Sequence, residues 1–139
     1  MNTCIVDTSF LVSLMNSGER HHAQCRKVAE EFSGRLLLPV TVLPEVAYLL
    51  DVRFGHAVMQ AFVDAIGDHA WEIVQLEESD LARCADILAQ YADNDLDFVD
   101  ATIIAMAERL NVATVLTLDR RHFQVIRPLH THHFTLLPA

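Results

Sequence analysis

Five acidic side chains lie where an alternation of strands and helices would gather them. They follow predicted strands or open a helix beside one: Asp7, Glu45, Asp97, Asp100 and Asp119. Asp7 ends the short apolar run 4–6, and Asp119 follows the strand-like run 112–118. In open sheets of parallel strands, ligands bind beyond the carboxyl ends of the strands. The spacing therefore predicts one acidic pocket at an edge of the sheet.

The chemistry of such a pocket follows from repulsion between its charges. Carboxylates in one pocket raise the pKa of their neighbours unless a cation lies among them. A hard divalent cation removes this repulsion, and a pocket built from carboxylates without His or Cys favours Mg²⁺ or Mn²⁺. One or two such ions activate water and stabilise the leaving oxygen of a phosphodiester. The predicted reaction is therefore metal-dependent hydrolysis of a phosphodiester.

Each acid also has an ordinary structural interpretation. Acids are common in the first turn of a helix because they complement its dipole. This explanation applies to Glu45, Asp97 and Asp100. Asp7, with the hydroxyl residues after it, fits helix capping. The joint placement of the acids at successive strand ends favours the pocket, whereas Asp93 and Asp95, in a polar loop, are interpreted as solvated charges.

Charge and motif content exclude several classes of function. Ten Lys plus Arg against 19 Asp plus Glu give a net charge of −9, which argues against binding nucleic acid through bulk positive charge. Residues 93–104 begin like a calcium-binding EF-hand loop, but Phe98 and Ile104 stand where Gly and Glu are required. The four glycines form no phosphate-binding motif. A phosphoacceptor receiver domain stays open, although Lys27 is the only lysine and lies far from a late strand end.

Strand-like and helix-like segments alternate along the chain. Predicted strands cover 4–6, 36–38, 71–74, 112–118 and 134–137. Predicted helices cover 10–15, capped by Thr8 and Ser9, then 19–32, 42–51, the stretch between Gly55 and Gly67, a segment from Ser79 past Leu88, and 97–110. This alternation predicts an α/β fold with a mainly parallel central sheet and helices on both faces, in one domain spanning 1–139.

Cysteines and apolar segments bear on location. Cys4, Cys25 and Cys84 are odd in number and lack CxxC spacing, so neither a disulfide framework nor a zinc ribbon is expected. No apolar run approaches the ~18 residues of a membrane span, and no basic segment precedes the first apolar stretch. We therefore expect a cytoplasmic protein that does not enter a membrane.

Four ordered motifs carry a resemblance to a known family. They are Ile5-Val6-Asp7-Thr8-Ser9, Pro44-Glu45-Val46, Phe98-Val99-Asp100-Ala101 and Leu116-Thr117-Leu118-Asp119-Arg120-Arg121-His122-Phe123. Their order and spacing resemble PIN-domain ribonucleases over the whole chain, and most of all the VapC toxins of toxin–antitoxin pairs. The resemblance implies a three-layer α/β/α fold. It also implies that metal-activated water cleaves structured RNA, either tRNA or a loop of the large-subunit ribosomal RNA.

The resemblance further implies a role for each acid. Asp7, Asp100 and Asp119 would bind the Mg²⁺ or Mn²⁺ ion and act in catalysis. Glu45 would be a further ligand or would orient the attacking water. Asp97 shares a helix face with Asp100 and competes with it for the metal, but Asp100 is preferred because a small residue follows it.

Hydroxyl groups and arginines complete the expected site. Hydroxyl side chains are expected to orient carboxylates or water: Thr8, Ser9 and Thr117. Arginines near the last acid are expected to contact RNA: Arg120, Arg121 and Arg127, with Arg53 as a further candidate.

The resemblance also implies protein partners. In this family an antitoxin wraps the toxin, and the toxins pair as homodimers. Candidate antitoxin contacts on the early helices are Phe10, Leu11, Leu14 and Tyr48. The alternative function is a non-catalytic PIN-like module that acts through protein contact, and neutralising the acids of such a module would stabilise it.

Overall fold

The computed structural model describes residues 2–68 and 70–139. The strands are β1 (Thr3–Val6), β2 (Arg35–Pro39), β3 (Glu72–Val74), β4 (Thr114–Leu116) and β5 (Thr135–Leu137). The helices are α1 (Thr8–Leu14), α2 (His22–Glu31), α3 (Val42–Phe54), α4 (His56–Gly67), α5 (Glu78–Gln90), α6 (Phe98–Leu110) and α7 (Arg120–Gln124), with a 3₁₀ turn at Ala92–Asn94.

All strands of the sheet run parallel, in the order β3-β2-β1-β4-β5. In the central strand β1, Ile5 pairs with Leu37 of β2 and with Val115 of β4. Ile5 and its strand neighbours Cys4 and Val6 are completely buried. A strand covered on both faces is apolar throughout rather than alternating, which is the pattern of residues 4–6. The predicted α/β class is confirmed.

The helices form two groups around the sheet. Helix α1 packs against α2 and α3, and α3 packs against α4, whereas α5 packs against α6. Residues 100–107 of α6 are all buried, so this helix lies within the protein rather than along its surface. An element that is covered on all sides must be apolar all round, and residues 103–107 of α6 meet this requirement.

The order of the strands creates a crevice at their carboxyl ends. From β1 the chain adds β2 and β3 on one side, then returns to place β4 and β5 on the other. Such a reversal leaves an opening between the two central strands. Asp7 directly follows β1, Asp119 lies three residues after β4, and Glu45 lies in the first turn of the helix after β2. Three neighbouring strands thus deliver acids to one edge.

Two local predictions are wrong. Helix α1 begins at Thr8 rather than Phe10, and its N-cap is Asp7 rather than Thr8 or Ser9. The Asp7 carboxylate accepts a hydrogen bond from the Thr8 N–H, which is the capping role that the hydroxyl groups were expected to fill. Helix α7 was not predicted, and β4 is shorter than the predicted strand 112–118.

The apolar faces of the early helices belong mainly to the core. Phe10 and Leu11 are at most 1% exposed, because α1 is enclosed by α2, α3 and the sheet. They are therefore not accessible to an antitoxin, whereas Tyr48 is 66% exposed. Within the described part of the chain, no helix has the length and hydropathy needed to cross a membrane.

Candidate active site

An open cleft of about 290 Å³ lies at the carboxyl edge of the sheet. All of the acids selected from the sequence line it: Asp7, Glu45, Asp97, Asp100 and Asp119. The other lining residues are Thr8, Ser9, Val12, Ser13, Glu19, Leu49, Arg53, Leu118 and His122. The parallel topology explains this convergence, because adjacent parallel strands end at the same edge.

Asp7 is held by a hydrogen-bond network at the end of β1. It is 5% exposed, and its Oδ1 accepts from the Thr8 N–H at 2.7 Å. Its Oδ2 accepts from Ser9 Oγ at 3.1 Å and from Thr117 Oγ1 at 2.7 Å. The two backbone N–H groups after Thr117 donate to Ser9 Oγ and Thr117 Oγ1, both at 2.9 Å. The network joins the end of β1 to the segment after β4.

The pKa of Asp7 is raised overall by burial, and the hydrogen bonds to its carboxyl group oppose that rise. Each hydroxyl group has a single proton, and each accepts a backbone N–H, so both protons are available to Asp7. Burial raises the pKa of Asp7 and the charge of Asp119 adds to this, whereas the hydrogen bonds from Thr117, Thr8 and Ser9 lower it. The network therefore favours a charged and fixed Asp7.

Asp100 is equally buried but has fewer donors. It is 7% exposed and forms a capping box with the exposed Asp97. The Asp100 N–H donates to Asp97 Oδ1 at 2.8 Å, and the Asp97 N–H lies 3.4 Å from Asp100 Oδ2. Burial is the largest of the causes that raise the pKa of Asp100 to about 8, and three neighbouring charges add to it: those of Asp97, Asp7 and Asp119. Among the described residues, no Lys or Arg forms an ion pair with Asp100.

Glu45 and Asp119 reach the cleft from helix starts. The hydroxyl group of Thr41, just before α3, lies 2.7 Å from that of Thr102 in α6. This contact joins the helix that carries Glu45 to the helix that carries Asp100. Asp119 is the N-cap of α7, and its side chain is 35% exposed.

His122 also lines the cleft and was not predicted as a site residue. Its Nδ1 lies 2.8 Å from Asp119 Oδ2 and 3.2 Å from Asp100 Oδ2. In α7, the spacing of three residues places His122 on the same helix face as Asp119. The sequence shows this spacing, but it indicates a shared helix face only if α7 is known to be a helix. Glu19 is a second unpredicted lining residue.

The hydroxyl residues predicted to orient carboxylates differ in their contacts. Ser9 and Thr117 donate directly to Asp7. Thr8 contributes its backbone N–H, while its Oγ1 is buried with no hydrogen-bond partner among the described residues. Ser13 Oγ, on the same helix, is also buried and unpartnered there.

The arginines that follow the last acid lie outside the cleft. The guanidinium of Arg120 donates to the carbonyl oxygen of Pro138 at 2.9 Å. Arg121 lines a neighbouring depression, and Arg127 is exposed. Arg53, from the last turn of α3, lines the cleft itself. Contact of these arginines with RNA stays a prediction.

The donor set of the cleft fits a hard divalent cation. Burial, followed by the charge of neighbouring carboxylates, raises the pKa of Asp7 and Asp100, and a cation would offset both effects. Carboxylate oxygens are the ligands that Mg²⁺ and Mn²⁺ prefer. Within residues 2–68 and 70–139, no three His, Cys, Asp or Glu side chains are arranged to hold an ion by themselves. The carboxylates that line the cleft are the ligand type of an ion that keeps several waters and takes few protein ligands, which is the usual habit of Mg²⁺.

Comparison with known proteins identifies the family. The family profile described as PIN domain matches residues 4–127. The chain belongs to the PIN domain family. This PIN domain is 31% identical over 134 residues to Ribonuclease VapC26 of Mycobacterium tuberculosis, and the match covers 96% of this chain and 99% of VapC26.

Solved structures share the fold of this PIN domain. VapC20 of Mycobacterium tuberculosis, a toxin that cleaves the sarcin–ricin loop, is 22% identical, with 84% of this chain and 89% of that chain covered and a TM-score of 0.79. A toxin–antitoxin complex from Klebsiella pneumoniae is 19% identical, with 94% and 98% covered and a TM-score of 0.70. The predicted three-layer PIN-like fold is confirmed.

Proposed function

We propose that this PIN domain is a metal-dependent endoribonuclease and the toxin of a toxin–antitoxin pair. The observation that carries the proposal is the cleft in which Asp7, Asp100 and Asp119 lie together without an ion pair to Lys or Arg among the described residues. A module that acts only through protein contact has no use for buried carboxylates that destabilise one another. VapC26, the relative at 31% identity, is named a ribonuclease.

The acids have different roles in the proposed site. One or two Mg²⁺ or Mn²⁺ ions would be held by Asp7, Asp100 and Asp119, with Asp97 at the rim as a competing ligand. A bound ion supplies a Lewis acid that lowers the pKa of water and offsets charge on the phosphate. Glu45, in the first turn of α3, would orient the attacking water.

Hydrogen bonds within the chain prepare these acids. Ser9 and Thr117 hold the Asp7 carboxyl group in one orientation and favour its charged form. Asp100, with its pKa raised to about 8, must lose a proton before the site carries its full negative charge. Cation binding is therefore linked to proton release from Asp100, and the proposed activity should rise with pH up to that range.

Structured RNA is the proposed substrate, either tRNA or a loop of the large-subunit ribosomal RNA. VapC20, which shares the fold, cleaves the sarcin–ricin loop. Because the chain carries a net charge of −9, the phosphate must approach where bound cations reverse the local sign. Arg53 would contact phosphate beside the cleft, while Arg120, Arg121 and Arg127 would contact flanking RNA farther away.

The proposed partners are an antitoxin and a second copy of the chain. A structure with the same fold is a toxin–antitoxin complex, which is the basis for expecting an antitoxin here. The exposed apolar Tyr48 and Val52 on α3 offer contact surface. The cysteines are free thiols and buried, as suits the reducing cytoplasm in which we place the activity.

The test is 5′-end sequencing of bacterial RNA after brief expression of the wild-type chain. Asp7→Asn is the inactive variant, and Asp93→Asn, which neutralises an exposed acid outside the cleft, is the matched control. We expect a few sharp cuts with the wild type and Asp93→Asn, and none with Asp7→Asn. The same cuts from a folded Asp7→Asn protein, or no cuts from folded, antitoxin-free wild type, would overturn the proposal.

A further inference from the structure

The four acids nearest the proposed metal position are anchored to different degrees. Asp7 has three donors, and Asp97 and Asp100 are fastened to each other by the capping box of α6. The Asp119 side chain, which is 35% exposed on a five-residue helix, has one partner among the described residues, and this partner is His122.

His122 is placed to act on two carboxylates at once. Its Nδ1 is buried and lies 2.8 Å from Asp119 Oδ2 and 3.2 Å from Asp100 Oδ2. Nδ1 forms no hydrogen bond of ordinary geometry among the described residues, and its relation to the two oxygens is a close polar contact with each. Two acceptors around Nδ1 favour the tautomer that carries its proton there.

The backbone of His122 is itself held in place. The next residue, Phe123, is completely buried and packs edge-on against Phe134, at 6.2 Å between ring centroids. This contact fixes α7 against the core. The imidazole is therefore carried by an anchored helix, although it lies at the surface of the cleft with 24% of its side chain exposed.

We propose that His122 is a positioning residue, which holds the Asp119 carboxylate beside Asp100 in the arrangement that receives the divalent cation. The inference rests on the proposed function and deepens it. It assigns His122 no contact with RNA and no proton transfer. Removing the imidazole should therefore weaken metal binding while leaving the affinity for RNA unchanged.

Mn²⁺ binding to the metal-free protein at pH 8, measured by calorimetry or electron paramagnetic resonance, tests the proposal. We expect His122→Ala to raise the dissociation constant about 10–100-fold, which is the usual effect of removing a group that orients a metal ligand. His122→Asn should restore most of the affinity, because its amide nitrogen takes the place of Nδ1. His56→Ala, which removes an exposed histidine at the start of α4, should bind as the wild type does.

Cleavage of the target RNA supplies the second readout. At saturating Mn²⁺, His122→Ala should keep the wild-type KM for RNA. If the alanine variant does not fold, His122→Phe keeps the ring without the N–H group, and it should bind Mn²⁺ more weakly than His122→Asn.

Each contrary result has a separate meaning. Wild-type Mn²⁺ affinity in His122→Ala, or equal affinities in the Phe and Asn variants, would overturn the positioning role and leave the nuclease intact. Tighter binding by His122→Ala would also overturn it, because the imidazole would then be competing with the ion. A wild-type chain that neither binds Mn²⁺ nor cleaves RNA would remove the proposed function and this inference together.

Discussion

Asp80 and Asp100 occupy the same position in two helices that pack against each other. Each is the third residue of its helix, α5 or α6, and each forms a capping box with the residue before the helix. Both are buried, at 2% and 7% exposed. The local sequence and the local hydrogen bonds are therefore alike.

Their surroundings differ in one respect that decides their chemistry. Arg109 donates to both oxygens of Asp80 through Nε and Nη2, each at 3.0 Å. Burial alone would raise the pKa of Asp80, but these hydrogen bonds, the Glu77 N–H and the charge of Arg109 lower it below its usual value. Asp100 faces other carboxylates instead, and its pKa rises to about 8. A buried acid with a guanidinium is structural, whereas a buried acid among acids is prepared for a cation.

The largest expected effect comes from removing the Arg109 guanidinium that pairs with Asp80. Arg109→Leu would leave a buried carboxylate without a counter-charge, and we expect it to lower the free energy of unfolding by about 3–5 kcal/mol. Urea unfolding at pH 7 measures the loss. Arg26→Leu is the matched control, because Arg26 and Glu30 form an exposed pair whose removal should leave stability nearly unchanged. Equal losses in the two variants would refute the assigned role of Arg109.

Opposite pH dependences should separate the two acids. The folded pKa of Asp100 lies far above the ~4 of an unfolded chain, so its contribution to stability is present below pH 4 and is lost as pH rises through about 8. In EDTA at pH 8, Asp100→Asn should be more stable than the wild type by about 2–4 kcal/mol, and the difference should shrink at pH 4–5.

Asp80 should behave in the reverse sense. Its folded pKa is lowered, so its contribution is present above pH ~4 and is lost as pH falls through the folded value. Asp80→Asn should therefore be less stable than the wild type at pH 7, with a difference that narrows in acid. Parallel pH profiles of the two variants would contradict the comparison.

Of Asp80 and Asp100, only Asp100 should respond to a divalent cation. Mg²⁺ or Mn²⁺ at about a hundred times its dissociation constant should stabilise the wild type by about 2–3 kcal/mol, because it binds the folded state alone. The same addition should leave Asp100→Asn nearly unchanged while still stabilising Asp80→Asn. Thermal melting with and without the cation measures both, and an Asp100→Asn response equal to that of the wild type would argue against ligation by Asp100.

Asp7 is the intermediate case, since it lacks a cation but has three donors. Thr117→Val removes one donor and the acceptor of the Asp119 N–H, and we expect a loss of about 1–2 kcal/mol in stability. Cleavage should fall about 10–100-fold, as when a group that orients a metal ligand is removed. Thr135→Val, an exposed strand position, is the control for both assays. Unchanged cleavage by Thr117→Val would show that the hydroxyl does not orient Asp7.

The sequence predicted the structure correctly where the pattern of a single strand or helix determines it. The β-branched strand before Asp7 and the apolar helix after Asp100 predicted the fold and the side of the sheet where the acids meet. Helix α7 was missed because its five residues contain a single buried side chain, too few to show a period. The sequence did not decide which of Asp7, Thr8 and Ser9 caps α1, because all three residue types are good caps.

Contacts between distant elements could not be predicted in this way. The link from Asp80 to Arg109 spans 29 residues, and nothing in either helix indicates that the two ends meet. The role of His122 could not be predicted for the same reason, because its contact with Asp100 depends on how α7 and α6 are placed relative to each other. The basic pair after Asp119 suggested RNA contacts at the cleft, but α7 directs Arg120 toward the carbonyl of Pro138.

The burial of α6 has a consequence for amide hydrogen exchange. Residues 100–107 are buried without interruption, so we expect the amides in the interior of this segment to be among the best protected in the described chain. Asp100 is thus presented by an element that should exchange slowly, whereas Asp119 caps a five-residue helix that Phe123 alone anchors by a buried side chain. The acids of one cleft therefore sit on elements of unequal size and burial, and we expect the amides of α7 to exchange before those of α6.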